Sequence, residues 1–307
     1  MSYTLRDFGS YTVGGRIARV TEGHPQQIAV TREVSYDYDP RGDFVVEHAY
    51  VQYFIPGHRN KAPAVVLVHG GGMSGSVWER TPDGRRGWLH MLLDRGYEVH
   101  VIDNVERGRA GFAPGLWSGA PITRSLQEAW RLFRIGSDAG FATRSAFAGQ
   151  RFPHETLEQL ARTFVPRWLS TTGLQAAALA ALLHRLGGAV LVCHSQGAEV
   201  AFAAIAEGGP VRALLAIEPS AGPQKIADLQ AIPTALVAGD FLNIDPMWAA
   251  RLTAWRALCA DLAATGGHAD FLPSGGALKA GHSHLPMHDR GHDMVLAAGL
   301  EALSHRL

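Results

Sequence analysis

The chain has 307 residues, 47% of them hydrophobic and 18% charged, so it can bury a large core and is too apolar to be disordered. Its 28 basic residues balance 28 acidic ones, which leaves no electrostatic footprint for nucleic acid or an anionic membrane. Two cysteines, Cys193 and Cys259, argue against a disulfide framework and set a reducing compartment, the cytoplasm, as the expectation.

The opening MSYTLRDFGSYTVGG lacks the basic segment and apolar run of a signal peptide. Apolar runs such as 173–183 are far too short to span a bilayer. Residues 11–21 and 27–34 are β-prone, and 43–56 alternates as a long strand does; a homodimer could form through this β-rich start. "AVVLVH" at 64–69 reads as a buried strand, and it ends in Gly70-Gly71-Gly72. A helix near 88–95 leads to a second buried strand at 97–103. Later strands are expected at 189–193, 213–218 and 234–239, with a weaker one at 269–272. Helices at 172–186 and 196–207 stop at Gly187-Gly188 and Gly208-Gly209. This alternation predicts a single α/β unit over 1–307, its mostly parallel central sheet covered by helices on both faces.

Residues 104–170 break the rhythm. They offer no buried strand, only helical pieces and many aromatics, among them Trp117 and Trp130. Two readings compete: an ordinary helical side layer, or a helical cap whose aromatics wall an apolar pocket over the sheet edge. The position between two core strands favours the cap, with Trp117 and Trp130 as candidate substrate contacts.

In "AVLVCHSQGAEVAFAAIA", a buried strand stops at Ser195 and a helix begins at once. A serine there is either a helix cap or a nucleophile held on a sharp turn, facing the helix's positive end. Such a turn needs small neighbours two residues away on each side, here Cys193 and Gly197. Serine also needs a base. In this architecture the histidine comes late, and the tail holds His282, His284, His288 and His292. Their spacing matches neither H-x-H-x-D-H nor H-E-x-x-H, so no metal is expected. "HGGGMSG" at 69–75 suits an oxyanion-binding loop. Gly70, Gly72 and Gly75 also satisfy G-x-G-x-x-G, with Asp103 ending the next strand, which keeps a nucleotide-binding oxidoreductase as an alternative. Pro82, Gly84 and Gly87 interrupt the helix that alternative requires.

Taken together, Cys193-His194-Ser195-Gln196, the Thr81-Pro82-Asp83-Gly84-Arg85 run with Gly87-Trp88, and Gly281-His282-Ser283-His284 resemble a small group of bacterial serine esterases of the α/β-hydrolase fold. "SYTVGGR" and "FVVEHAYVQYFIP" resemble that group's leading strands. The resemblance implies Ser195 as nucleophile, His284 as base, and the amides of Gly71 and Gln196 as oxyanion donors. It also implies a catalytic glutamate after the strand following the elbow, which is Glu218. His282 departs from the asparagine that the group favours at its position.

For the acid, two rules conflict. Most hydrolases of this fold place it after the strand near residue 234, where Asp240 and Asp245 lie. Yet Glu218 ends a buried strand, where a carboxylate is costly unless paired, and an imidazole would pair it. Turn formation and helix capping account for the two aspartates. Glu218 is therefore the expected acid, with Asp245 second. The resulting expectation is a cofactor-free hydrolase of small carboxylic esters, apolar or aromatic ones, working through an acyl-enzyme. Lactonase, thioesterase and amidase readings share the same residues, and a non-catalytic scaffold is the reading from a different class.

Overall fold

The computed structural model describes residues 4–113, 115–304 and 306. Eight strands form one sheet: β1 (Leu5–Val20), β4 (Gly42–Pro56), β5 (Val65–Val68), β6 (Val99–Asp103), β7 (Ala189–His194), β8 (Val211–Ile217), β9 (Thr234–Ala238) and β10 (Ala269–Pro273). Their spatial order is β1-β4-β6-β5-β7-β8-β9-β10. The pairs β1/β4 and β4/β6 are antiparallel, and the six strands from β6 to β10 run parallel. This is the mostly parallel central sheet that the alternation predicts, in the α/β-hydrolase arrangement that the resemblance implies.

Period-two alternation sorts the strand residues to two cores. On β5, Val66 and Val68 face a core with Leu191 and Cys193 of β7, while Val65 and Leu67 face the other with Val190 and Val192. The first core is closed by α4 (Thr172–Leu186), α5 (Gln196–Ala206) and α6 (Pro246–Ala264). The second is closed by α1 (Trp88–Asp94) and α7 (His292–Ser304). Both cysteines are free and buried. No described helix is long and apolar enough to cross a membrane.

One N-terminal expectation changes. Residues 27–34 do not form one strand. They divide between β2 (Gln26–Ala29) and a turn leading to β3 (Ser35–Tyr38), which together make a separate two-stranded sheet. Thr31 Oγ1 explains the break, because it accepts the amides of Glu33 and Val34 and closes a turn.

Between β6 and α4, the described residues of 104–170 hold two short α-helices, α2 (Leu126–Leu132) and α3 (Leu157–Ala161), and no strand of the main sheet. An isolated bridge, Ile122 to Arg167, ties two passes of this segment together. The chain leaves β5 toward β6 on one side and later enters β7 on the other. That reversal opens a crevice at the carboxyl ends of β5 and β7, the general place for a ligand in such sheets.

Candidate active site

Ser195 sits in the crevice between β7 and α5 with φ 51° and ψ −116°, a conformation that L residues rarely adopt. Ladder-like bonds hold it there: its amide donates to Ile217 O at 2.8 Å, and its carbonyl accepts Ser220 N at 3.2 Å. The tight approach of helix to strand explains Gly197, where a Cβ would lie 2.5 Å from His69 O and 2.7 Å from Val68 O. Cys193 is buried in the first core. Its side chain points into the core, so a small thiol is accommodated.

His284 Nε2 lies 3.1 Å from Ser195 Oγ. Its Nδ1 meets Glu218 Oε2, so the Nδ1 proton goes to the carboxylate and Nε2 faces the serine as an acceptor. The backbone fixes the ring as well: His284 N donates to Phe133 O at 3.0 Å, and His284 O accepts from His194 Nε2 at 2.8 Å. Phe133 stacks on one side of the ring at 5.9 Å, and Trp248 approaches at 4.8 Å. Burial pushes the imidazole below its ordinary value, against the opposing pull of Glu218. The neighbouring His194 is pushed down further by burial and by His284, and stays neutral.

Glu218 follows β8 with φ 46° and is fully buried. Its two oxygens are saturated. Oε1 accepts Gly239 N at 2.6 Å and Arg134 Nη2 at 2.5 Å; Oε2 accepts Arg134 Nη1 at 2.9 Å and the His284 ring. Burial alone would raise this carboxyl, but the Arg134 guanidinium and His284 outweigh it and hold it down at about 2. Arg134, itself fully buried, was not singled out from the sequence. An arginine inside the apolar run "LFRIG" was the available signal, since a charge there requires a partner.

The other acids and histidines lie elsewhere. Asp245 caps α6 by accepting Met247 N at 2.8 Å. Asp240 accepts Phe241 N and Gly281 N, both at 2.8 Å. His282 Nδ1 pairs with the buried Asp289 at 3.0 Å, which also accepts Ser283 N and Ser283 Oγ, both at 2.7 Å. His288 is buried beside this cluster, and His292 begins α7. Among the described residues, no three His, Cys, Asp or Glu side chains converge as a metal site would need.

The loop carrying His284 is tied down by distant arginines. Arg85 donates to Asp289 O at 2.8 Å and His288 O at 2.7 Å, and Asp83 orients that guanidinium at 2.8 Å. Arg151 donates to Ala280 O at 2.7 Å and Arg290 O at 3.0 Å. The T-P-D-G-R run thus serves the histidine loop, although it lies some two hundred residues away.

Gly71 and Gln196 flank Ser195, and no described protein group accepts from either backbone amide. The glycine loop is anchored from below. His69 Nδ1 bonds Gly70 O at 2.9 Å while its Nε2 accepts Asn104 N at 3.1 Å. Asp103 Oδ1 accepts Gly75 N at 2.6 Å and Oδ2 accepts Arg109 Nε at 2.8 Å. Both oxygens of Asp103 are therefore committed inside the protein, and the residue is buried. A dinucleotide reading needs that carboxylate for a ribose, so the fingerprint alternative fails.

A cavity of about 500 Å³ opens on Ser195 and His284. Its walls correct one expectation. Trp130 does not reach it: the ring is fully buried in the second core and donates to Ser137 O at 2.9 Å. Trp117 packs at 5.0 Å against Trp168, on the side where Val46 of β4 lies. Neither lines the cavity, and its wall is not the apolar, aromatic one expected. Arg124, Arg167 and Arg251 face it instead, with Glu128 and Glu199. Trp130 turns inward to cover the sheet, and the inserted segment leaves Phe133 with its two arginines, Arg124 and Arg167, at the crevice.

No protein-family model matches the chain. The structure superposes on that of a bacterial esterase with a TM-score of 0.87 and 30% sequence identity, covering 100% of this chain and 98% of that one. A fungal protein (Fungal sp., strain ATCC 74256), described as a probable secreted lipase, is 29% identical over 186 residues. That match takes in 57% of this chain and 50% of the fungal protein, so the chain spans about half the length of that relative.

Proposed function

This chain belongs to the esterases of the α/β-hydrolase fold, and we propose that it hydrolyses carboxylic esters through a Ser195–His284–Glu218 triad and an acyl-enzyme. The contact of His284 Nε2 with Ser195 Oγ at 3.1 Å, on a strained strand-to-helix turn, carries this reading. His284 takes the serine proton as Oγ attacks the ester carbonyl. Glu218 holds the Nδ1 proton and stabilises the imidazolium that forms. The amides of Gly71 and Gln196 receive the developing oxyanion at the positive end of α5. Collapse of the tetrahedral intermediate breaks the acyl–oxygen bond, and His284 returns its proton to the departing alcohol. Water, activated by the same ring, then attacks the acyl-enzyme and frees the acid and Ser195. Residues 104–170 act as the cap, because Arg124, Phe133 and Arg167 from this insertion close the cavity over the nucleophile.

The test is direct. A fluorophosphonate should add to Ser195 alone, and Ser195→Ala should lose about 10³-fold or more in kcat on an activated ester. Full turnover by the alanine variant, with no adduct on the wild type, would sink the reading.

A further inference from the structure

We propose, resting on the esterase reading, that the natural substrate is an ester bearing a carboxylate close to its scissile bond, recognised by Arg167 and Arg124. The two passes of the insertion are paired through Ile122 N to Arg167 O at 2.8 Å and Arg167 N to Ile122 O at 3.0 Å. The same passes are pinned to the glycine loop by Val165 N donating to Gly72 O at 3.0 Å. Both arginines are therefore delivered to one edge of the nucleophile's cavity.

Arg167 lies against the backbone that offers an oxyanion amide: a Cβ at Gly71 would meet its Nη1 at 2.0 Å. Among the described residues its guanidinium bonds a neutral oxygen, Gln196 Oε1 at 3.3 Å, and pairs with no carboxylate. Arg124 spends Nη1 on Glu128 at 2.7 Å, while its Nε is buried without a partner. That Nε would lie 3.9 Å from a Cβ on Gly72, beside the same loop. On the far wall, Arg251 rests over the Trp248 ring at 4.6 Å, also without a paired carboxylate among the described residues. Glu199 accepts Ser220 Oγ at 2.9 Å.

Three guanidiniums thus face two carboxylates, and the excess sits on the glycine-loop side. The oxyanion is a transient charge that backbone amides already serve. A permanent cation held beside them in a partly closed cleft suits a permanent anion on the ligand. Guanidinium forks match carboxylates in a two-bond geometry, and a recessed cation raises the local concentration of such ligands.

Two matched pairs place the charge. Monomethyl adipate against methyl hexanoate carries it on the acyl side, and 4-acetoxybenzoate against 4-acetoxybenzamide carries it on the alcohol side. Hydrolysis followed by pH-stat should show kcat/KM higher by about tenfold or more for the carboxylate member of one pair. Arg167→Gln should collapse that ratio, and Arg167→Lys should restore part of it. Arg167→Glu should reverse the preference, favouring acetylcholine over its neutral isostere 3,3-dimethylbutyl acetate, a gain that misfolding cannot produce. Ratios near one in both pairs, unchanged in Arg167→Gln, with Ser195 still labelled by a fluorophosphonate, would overturn the substrate assignment and leave the esterase reading standing. No turnover of any ester and no label on Ser195 would instead remove the esterase reading, and the assignment with it.

Discussion

Replacing Glu218 by glutamine exchanges one oxygen for an NH₂ group in a site where every oxygen lone pair is committed. Oε1 faces Gly239 N and Arg134 Nη2, while Oε2 faces Arg134 Nη1 and His284 Nδ1. Whichever position takes the new NH₂ therefore points it at two N–H donors. The buried Arg134 also loses its counter-charge. The carboxyl's fall from an ordinary 4.5 to about 2 corresponds to about 3 kcal/mol of stability. Removing one partner of a buried ion pair independently costs about 3–5 kcal/mol. Because the folded carboxyl is depressed, that contribution is present above about pH 4.5 and is lost as pH falls toward 2. Denaturant titrations of Glu218→Gln should show the loss at neutral pH and a flatter stability profile across that window. On one activated ester, kcat should fall by between about 10² and 10⁴, since the imidazole loses both its orienting acceptor and its counter-charge. Asp245→Asn is the control. Asparagine caps a helix as well as aspartate does, so stability and kcat should change little. A stable, active Glu218→Gln beside an inactive Asp245→Asn would refute the assignment of the acid.

Three further outcomes follow from the geometry. Burial holds His284 below its ordinary 6.5 and its neutral form is the base, so kcat/KM should be lost as pH falls, with a midpoint under 6.5; a midpoint above 7 would contradict this. Trp130→Ala should cost about 3–5 kcal/mol and leave the ranking of short against bulky esters alone; a changed ranking at full stability would put the ring back in the cavity. His284→Ala should lose at least about 10³-fold in kcat, whereas His282→Ala should mainly lower stability by leaving Asp289 short of a partner; the opposite pattern would move the base to His282.

Much of the scaffold is written locally. Short apolar runs with a glycine close to one end locate β5, β7 and β9, and the left-handed Gly187 (φ 67°) ends α4 where its pattern stops. The elbow was legible because Gly197 answers to a backbone approach that no other residue allows. Glu218 was legible because a carboxylate ending a buried strand requires a partner. The cavity wall was not. Residues 104–170 have little regular periodicity, and whether Trp130 or Arg124 turns outward depends on which face of the insertion covers the sheet. That choice is made by tertiary packing across more than a hundred residues. Arg85 illustrates the same limit: nothing near it in sequence signals that its partners are carbonyls at 288 and 289.

Those remote ties have a kinetic consequence. His284, the proposed base, sits on a loop with no strand or helix of its own between β10 and α7, held by Arg85 and Arg151 across separations of 129 to 204 residues. Closing spans of that length is slow relative to forming helices or adjacent strands. A refolding chain will therefore regain its ellipticity while His284 is still unplaced, and enzymatic competence will lag behind secondary structure.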